Sequence, residues 1–261
     1  MRVLVTFAVE AEFAPWRAQR GFVRQNAEGL KLWKSVIGAS EIFVTLTGIG
    51  DCAGALVMDL FMRTTEANVL FDVCISSGLA GALRADYALS DIVVARLLKS
   101  EETPADLGKD WIETDKRLCD QAIAQGAKLA GAFYTARKVL TTGEQKSLLS
   151  MKADVVEMES FDVLSEGSVW GARCVAIRAI SDLAGEDLPL DFNRTISSDH
   201  RVSVPRVLVE LAKNPGTLGP LIRFGKQSRR AAEALAEFLE TYISDLVQVG
   251  VASDSLKVGA Q

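Results

Sequence analysis

The chain has 261 residues, of which 49% are hydrophobic and 24% are charged, and its formal net charge is −5. This length is enough for one large α/β domain with a substantial core. The acidic balance argues against a nucleic-acid-binding protein, because such proteins gain affinity from clustered Lys and Arg that displace counterions. No apolar stretch reaches the length of a bilayer span, so we expect a soluble, cytoplasmic protein.

Short apolar runs with β-branched residues predict eight strands. These runs cover residues 2–8, 31–37, 41–47, 71–76, 91–98, 132–139, 153–157 and 174–180. Helix-length segments lie between several of them: Phe13 and Trp16 indicate a first helix after Glu10, and Asp51 is placed to cap a second. Because parallel strands need crossover connections that are usually helical, the alternation predicts a mostly parallel or mixed sheet covered on both faces.

The C-terminal part has a different character. Residues 183–204 lack periodicity and predict a long loop over the sheet edge. We expect one domain over residues 1–261, with a helical extension from about residue 205, a break at Asn214-Pro215-Gly216 and a final helix from about Leu221 to Val249. A basic cluster in that helix is either a solvated face or a lid, partner or membrane surface; it comprises Arg223, Lys226, Arg229 and Arg230.

The four cysteines form no C-x-x-C pair and mostly lie in apolar surroundings. They are predicted to be buried thiols of a reducing compartment, and they are Cys52, Cys74, Cys119 and Cys174. The single histidine, His200, falls in a polar loop without a second metal ligand at a recognised spacing. We therefore expect a surface histidine, and neither a zinc site nor a Ser-His-Asp triad.

Three acidic residues follow apolar runs at widely separated points of the chain: Glu12, Glu159 and Asp182. Strands that share a sheet deliver their terminal side chains to a common edge, and open α/β sheets bind ligands at their carboxyl edge. These carboxylates are therefore expected to converge on a ligand. Glu157 and Glu159 stand at i and i+2, so we expect them to point to opposite faces, one of them toward the active face.

Two glycine-rich segments follow predicted strands. Gly48-Ile49-Gly50 opens a segment that loosely mimics a dinucleotide fingerprint, but its glycine spacing differs from G-x-G-x-x-G. The next strand also ends without the acid that would hold a ribose, so a nicotinamide-dependent oxidoreductase is disfavoured. Gly78-Leu79-Ala80-Gly81, at the end of the next strand, predicts either a plain turn or a close backbone approach to a ligand.

With these patches the chain resembles the purine nucleoside phosphorylase and methylthioadenosine/adenosylhomocysteine nucleosidase superfamily. The matching patches are Ala8–Glu12, Thr47–Gly50, Ser77–Gly81 with Asp91–Val94, and Val156–Glu159 with Arg178–Asp182. Residues Lys213 to Ala232 resemble the hopanoid-associated phosphorylase branch. The resemblance implies a single-domain, three-layer α/β/α fold with a mixed central sheet. It also implies cleavage of the N-glycosidic bond of a purine nucleoside, with adenine as the base and adenosylhopane as a substrate.

The resemblance further implies roles for single residues. Asp182 matches a general acid that protonates purine N7, with Ser181 beside it at the base. Glu159 matches a ligand of the ribose hydroxyls, Met158 packs beneath the sugar, and Glu12 positions or activates the nucleophile. The nucleophile site would contain Arg178, Gly48, Gly78 and Leu79. No metal or organic cofactor is implied, and inorganic phosphate is the co-substrate if the reaction is phosphorolysis.

Two departures from the family leave alternatives open. Leu79 stands where the nucleosidases have a hydroxyl residue, so the choice between hydrolysis and phosphorolysis is open. The segment Thr141–Lys146 lacks the purine-stacking Phe of the nucleosidases. A methylthioadenosine/adenosylhomocysteine-type nucleosidase and a nucleoside-binding protein without turnover are therefore the alternatives. The family also implies a homo-oligomer.

Overall fold

The computed structural model describes residues 1–26, 30–50, 52–66, 69–101, 111–197, 200 and 203–258, with side chains described as far as residue 246. The described strands are β1 (Arg2–Phe7), β2 (Val23–Arg24), β3 (Leu32–Ile37), β4 (Ser40–Leu46), β5 (Val73–Ala82), β6 (Ile92–Ser100), β7 (Trp111–Glu113), β8 (Lys128–Thr135), β9 (Val155–Glu157) and β10 (Arg173–Asp182). The α-helices are α1 (Glu10–Gln19), α2 (Cys52–Glu66), α3 (Lys116–Ala124), α4 (Gly143–Leu149), α5 (Ser160–Val169), α6 (Val204–Lys213) and α7 (Leu218–Val258).

The strands form one mixed sheet with β5 at its centre. β5 pairs in parallel with β1 and with β10, and its last residues pair antiparallel with β9. Since β10, β6, β8 and β9 also follow one another in the sheet, these four strands and β5 close into a ring, while β1, β4, β3 and β2 continue as an open sheet. The predicted mixed sheet is confirmed, and its partial closure was not predicted.

Helices cover both faces of the sheet. Apolar residues of α1, α3 and α7 pack in one core cluster on one face, and those of α2 and α5 pack in a second cluster on the other. This arrangement confirms the predicted three-layer α/β/α architecture. Helix α7 belongs to the core for much of its length, because its residues Ala231, Leu235, Leu239 and Tyr242 are buried against the sheet.

Each of the eight predicted apolar runs overlaps a described strand, in the predicted order and with shifted boundaries. The short strands β2 and β7 were not predicted. The run at 71–76 is part of a longer strand, β5, which continues to Ala82, so Gly78–Gly81 lies inside a strand and not at its end. The run at 132–139 forms β8, which begins at Lys128 and ends at Thr135. The predicted cap at Asp51 lies outside the described residues.

The C-terminal helices start close to where the sequence placed them. A short 3-10 turn at Pro215–Thr217 separates α6 from α7, as the Asn-Pro-Gly break predicted, and α7 begins three residues before Leu221. Within 183–197 the described chain is a loop with one 3-10 turn at Phe192–Arg194. No helix among the described residues is long and apolar enough to cross a membrane.

Candidate active site

The central strand β5 organises the site, because its small residues let other side chains approach its backbone. A Cβ added at Gly78 would lie 2.8 Å from both Glu12 Oε1 and Arg178 Nη1, and Gly78 has a φ of +144°. A Cβ added at Gly81 would lie 2.8 Å from Asp182 Oδ2. The glycines are therefore needed for close packing of the charged residues, whereas the sequence predicted either a plain turn or a close backbone approach to a ligand.

Arg178 lies at the centre of a buried charge cluster. Its Nη2 donates to Glu157 Oε2 at 2.6 Å and to Glu159 Oε2 at 3.4 Å. It also donates to the hydroxyls of Ser76 and Ser160. The Nε of Arg178 is buried and has no hydrogen-bond partner among the described residues. Such a group is unusual, because buried donors are normally paired.

Glu157 and Glu159 both face Arg178, so the expectation that they point to opposite faces was wrong. Strand β9 ends at Glu157, and the chain then turns to begin α5 at Ser160 with Glu159 as its N-cap residue. Because side chains alternate with a period of two, residues i and i+2 lie on the same face, and the expectation misapplied this rule. Glu157 is held by the backbone N–H groups of Glu159 and Ser160, at 3.0 and 2.7 Å.

The two glutamates differ in their pKa. Burial favours the neutral form of Glu157, but Arg178 and a set of hydrogen bonds outweigh burial and lower its pKa. For Glu159 burial dominates, and the neighbouring charges of Glu157 and Glu12 add to it, so its pKa rises to about 8 although Arg178 acts in the opposite direction. Glu157 is therefore the permanent counter-ion of Arg178. Among the described residues, Glu159 has a long contact with Arg178 and accepts one hydrogen bond from the Gly50 N–H, at 3.0 Å.

Glu12 is fixed by backbone groups from two elements. Its Oε2 accepts from the N–H groups of Ala8 and Val9, at the start of α1, and its Oε1 accepts from the Leu79 N–H in β5 at 2.8 Å. Burial raises the pKa of Glu12, while Arg178 and these hydrogen bonds oppose the increase. Glu12 is thus oriented next to Arg178 and Gly78, and a raised pKa suits a group that takes up a proton.

Asp182 makes a contact that the sequence analysis missed. The buried Lys146, from α4, donates through its Nζ to Asp182 Oδ2 at 2.5 Å. The same ammonium group also donates to the carbonyl oxygens of Leu183 and Glu186, at 2.8 and 2.9 Å. The Ser181 hydroxyl donates to Asp182 Oδ1 at 2.8 Å. Lys146 lies in the segment Thr141–Lys146, where the sequence analysis looked only for an aromatic side chain.

These groups open into one cavity with a volume of about 1180 Å³. Its polar end is lined by Glu12, Leu79, Met158, Glu159, Ser181 and Asp182. The predicted convergence of the three acids is therefore observed. Arg178 and Gly78 lie behind this lining and support Glu12 and Glu159, and neither is among the lining residues.

The rest of the lining is mostly apolar and comes from α1, from the chain after β8 and from α7. Its polar and charged members include Gln19, Lys138, Arg229, Glu233 and Glu237. Phe192, in the loop after β10, packs against Phe224 of α7 with ring centroids 5.4 Å apart. Further apolar lining residues are Val139, Leu140, Leu188, Ile196, Val207 and Leu221. Phe192 and Phe224 are thus the aromatic side chains of the cavity lining, and neither comes from Thr141–Lys146. No pattern in the sequence predicted this pair, because the loop and α7 are brought together only by the fold.

Gly48 and His200 lie beside the cavity. Gly48 has a φ of +83°, and a Cβ there would lie 3.1 Å from the Cβ of His200. His200 accepts a backbone hydrogen bond from the Ile49 N–H at 2.9 Å, and its Nδ1 lies 3.1 Å from the Ile49 carbonyl oxygen. His200 is half-buried, so it holds its loop against the Gly48–Gly50 turn, which itself hydrogen-bonds Glu159.

Fold and site together define a three-layer α/β protein whose buried acids converge at one end of a deep, largely apolar cavity. A family model described as the phosphorylase superfamily matches residues 2–244. The chain belongs to this superfamily, which confirms the resemblance seen in the sequence. The match does not distinguish the hopanoid-associated branch.

Several known proteins are similar over most of their length. The 5′-methylthioadenosine/S-adenosylhomocysteine nucleosidase of Aeromonas salmonicida is 23% identical over 235 residues, which cover 82% of this chain and 100% of the relative. The solved structure of a futalosine hydrolase mutant of Helicobacter pylori has a TM-score of 0.70 at 20% identity, covering 94% of this chain and 99% of that one. The solved structure of the 5′-methylthioadenosine/S-adenosylhomocysteine nucleosidase of Campylobacter jejuni has a TM-score of 0.69 at 17% identity, covering 94% of this chain and 99% of that one. The structural matches support the fold.

Proposed function

We propose that this protein cleaves the N-glycosidic bond between adenine and a ribose whose 5′ position carries a large apolar substituent. The observation that carries the proposal is the meeting of Glu12, Glu159 and Asp182 at the polar end of one cavity. The family relationship supports the same reaction class, since curated relatives are named as nucleosidases acting on 5′-methylthioadenosine and S-adenosylhomocysteine.

Cleavage of this bond develops positive charge on the ribose, and the site has carboxyl groups where that charge would form. Glu159, with Met158 beside it, is placed to bind the ribose hydroxyls. Burial raises the pKa of Glu159 to about 8, and an oxocarbenium-like positive charge beside it favours its ionised form, so the carboxylate and the transition state stabilise each other. A ground-state ribose is neutral, so this interaction strengthens during the reaction and lowers the barrier.

The leaving purine develops negative charge and needs a proton. Asp182 is the donor to N7, and Lys146 is hydrogen-bonded to the carboxyl oxygen Oδ2 at 2.5 Å. The proton passes from the Lys146 ammonium group to the Asp182 carboxylate and from the carboxyl group to N7, which leaves Lys146 neutral and Asp182 ionised. Ser181, bonded to the other carboxyl oxygen, fixes the orientation of the pair.

The nucleophile is bound beside Glu12, which lines the cavity, while Arg178 lies behind that lining. Glu12 accepts a proton from a water molecule in hydrolysis, and the positive charge of Arg178 acts on Glu12 and attracts an incoming phosphate. Leu79 contributes its backbone N–H to Glu12 and no side-chain hydroxyl to the nucleophile. The family relationship covers both reactions, and the dependence on phosphate decides between them.

The size of the cavity supports the apolar 5′ substituent. About 1180 Å³ exceeds the roughly 300–1,000 Å³ of ordinary small-molecule sites. The lining includes Leu188, Phe192, Val207, Leu221 and Phe224, so a chain or ring system attached at C5′ would be buried among apolar side chains. Adenosylhopane, which the C-terminal resemblance implies, is a nucleoside of this kind.

The test is an adenine-release assay with adenosine, methylthioadenosine and a 5′-alkyl adenosine, each with and without phosphate. We expect release from all three and the highest kcat/KM for the long-chain substrate. Ribose 1-phosphate products would identify phosphorolysis, and free ribose products would identify hydrolysis. Calorimetric binding of adenosine without any release would instead favour the nucleoside-binding alternative and contradict the proposal.

A further inference from the structure

Helix α6 and the first two turns of α7 carry an exposed apolar surface. Within residues 204–222, five large apolar side chains are exposed: Val204 at 66%, Leu208 at 60%, Val209 at 53%, Leu218 at 52% and Ile222 at 53%. The described residues contain fifteen exposed large hydrophobic side chains, and a third of them lie in this segment of nineteen residues. Helix α6 contains no buried residue at all. Clusters of this kind mark interaction sites.

The same segment carries a charge opposite to that of the whole chain. Residues 203–230 contain six basic residues and one acidic residue, Glu210, which gives a local charge of +5 in a chain whose net charge is −5. The basic residues are Arg206, Lys213, Arg223, Lys226, Arg229 and Arg230. An anionic partner is therefore attracted to this part of the molecule and repelled by much of the rest.

The apolar surface borders the mouth of the cavity. On α7, Leu221 and Phe224 line the cavity, while Leu218 and Ile222 occupy the next stripe of the helix and are exposed. Lys226 continues that stripe one turn further on, and Arg223 and Arg230 flank it on the side away from the cavity, whereas Arg229 lines the cavity and pairs with Glu233. On α6, Val207 lines the cavity and Leu208 faces out. Each helix thus connects the cavity to the exposed apolar surface.

We propose that α6 and the start of α7, residues 203–230, dock on the surface of an anionic lipid bilayer. The apolar side chains enter the boundary between headgroups and acyl chains, and the basic side chains meet anionic headgroups, as amphipathic interfacial helices do. The mouth of the cavity then faces the membrane. This inference goes beyond the proposed reaction, because binding to a bilayer needs no catalysis.

The charge of the surface favours a bilayer over a second copy of the chain. In a two-fold symmetric contact the same patch meets itself, so the six cations of one copy would lie opposite the six of the other. Such a contact brings like charges together, whereas anionic lipids neutralise them. The finding that no described helix can span a membrane is consistent with peripheral docking.

The experiment is flotation of the purified full chain with phosphatidylcholine vesicles that contain or lack phosphatidylglycerol. We expect binding to the anionic vesicles only, and loss of binding at high salt. The variants are Leu208→Glu/Ile222→Glu, which removes apolar contact, and Arg223→Glu/Lys226→Glu, which reverses two charges. Each double variant should weaken vesicle binding at least about tenfold.

Two matched variants are the controls. Met151→Glu introduces a charge at a more exposed apolar position outside the surface, and Lys116→Glu/Arg117→Glu makes the same charge change on α3. Both should bind vesicles as well as the natural chain does. Equal binding by all variants, or no binding by the natural chain, would overturn the proposal. A change in oligomeric state on size exclusion, without a change in vesicle binding, would assign the surface to a second copy instead. Adenine release from soluble methylthioadenosine, measured in parallel, reports on the proposed reaction separately.

Discussion

At the scale of single residues, the site depends on how buried charges are paired. Glu157 is matched to Arg178 by a 2.6 Å contact and by backbone donors, so it is a structural counter-ion. Glu12 and Glu159 are less completely compensated, and the pKa of each is raised. Groups that are buried without full compensation are the ones that a ligand can stabilise, and this difference separates Glu12 and Glu159 from Glu157.

Asp182→Asn should lower the turnover number by about 10²–10⁴-fold while leaving the fold intact, because the change is nearly isosteric and removes only the proton donor. Adenine release measures the activity, and circular dichroism and thermal unfolding check the fold. Asp86→Asn, at an exposed position, is the control and should retain full activity. Natural-like turnover in the Asp182 variant would exclude Asp182 as the general acid.

Lys146→Met should destabilise the protein by roughly 3–5 kcal/mol, because it leaves the Asp182 carboxylate buried without its partner. It should also reduce turnover, since the proton-supplying pair is broken. Urea unfolding measures the stability. Lys116→Met removes an exposed ion pair with Asp120 and should cost less than about 1 kcal/mol. If the two substitutions lowered the free energy of unfolding equally, the Lys146–Asp182 contact would stabilise the fold no more than the exposed Lys116–Asp120 pair does.

At the scale of elements, strand β5 is the support on which the site is assembled. Glu12 bonds to its backbone at Leu79, Arg178 lies in register with Gly78, and Asp182 lies in register with Gly81. Glu12 lies in the first turn of α1, and Glu159 is the N-cap residue of α5. Lys146 is a buried residue of α4. Secondary structure thus fixes the direction from which each charged group enters.

Gly78→Ala should abolish measurable turnover, because the added Cβ would overlap with Glu12 Oε1 and Arg178 Nη1 and because the φ of +144° disfavours a side chain. The matched control is Gly21→Ala, where no atom lies within 4 Å of the added Cβ and no positive φ occurs. Adenine release and thermal unfolding should both be measured. Full activity of the Gly78 variant would show that the contact between Glu12 and Arg178 tolerates displacement.

Helix α7 contributes substrate preference through its cavity-lining side. Phe224→Ala should raise KM for a soluble 5′-alkyl adenosine at least about tenfold, because a large apolar contact area is lost. KM for methylthioadenosine should change much less, since its 5′ group is small. Ile222→Ala, exposed and absent from the lining, is the control in the absence of vesicles. A parallel loss for both substrates would place Phe224 at the base or ribose instead.

At the scale of the whole molecule, the buried charge cluster makes stability depend on pH. The pKa of Glu159 rises from its ordinary value of 4.5 to about 8 on folding, so the folded state holds this proton more tightly than the unfolded state does. Stability from this group is therefore lost as the pH rises from about 4.5 to about 8, and changes no further above that range. Glu157, whose pKa is lowered, behaves in the opposite way.

The measurement compares urea unfolding of the natural chain and Glu159→Gln between pH 5 and pH 9. Because Gln stays neutral, the free energy of unfolding of the natural chain should fall relative to the variant as the pH increases to about 8. For Glu157→Gln, the natural chain should be the more stable protein throughout this range, since ionised Glu157 is stabilised by Arg178. A difference for Glu159→Gln that does not vary with pH would contradict the raised pKa.

The sequence by itself determined the class of fold and the identity of the acids. Apolar runs of strand length, alternating with helical segments, specify a covered mixed sheet, and carboxylates at the ends of such runs point to its ligand edge. Each of these patterns lies within one continuous segment, so a single sequence is enough to detect it. The segments around Glu12, Glu159 and Asp182 were therefore recognisable before any coordinates were considered.

Only the tertiary structure decided which groups meet. The pairing of Lys146 with Asp182 and the contact of Phe192 with Phe224 join elements that sequence periodicity does not relate. The same holds for the contacts of Glu157 and Glu159 with Arg178. The physical reason is that burial, charge pairing and cavity shape arise from contacts between distant parts of the chain. Their energies are properties of the packed arrangement of β5, α4 and α7, and no single segment contains them.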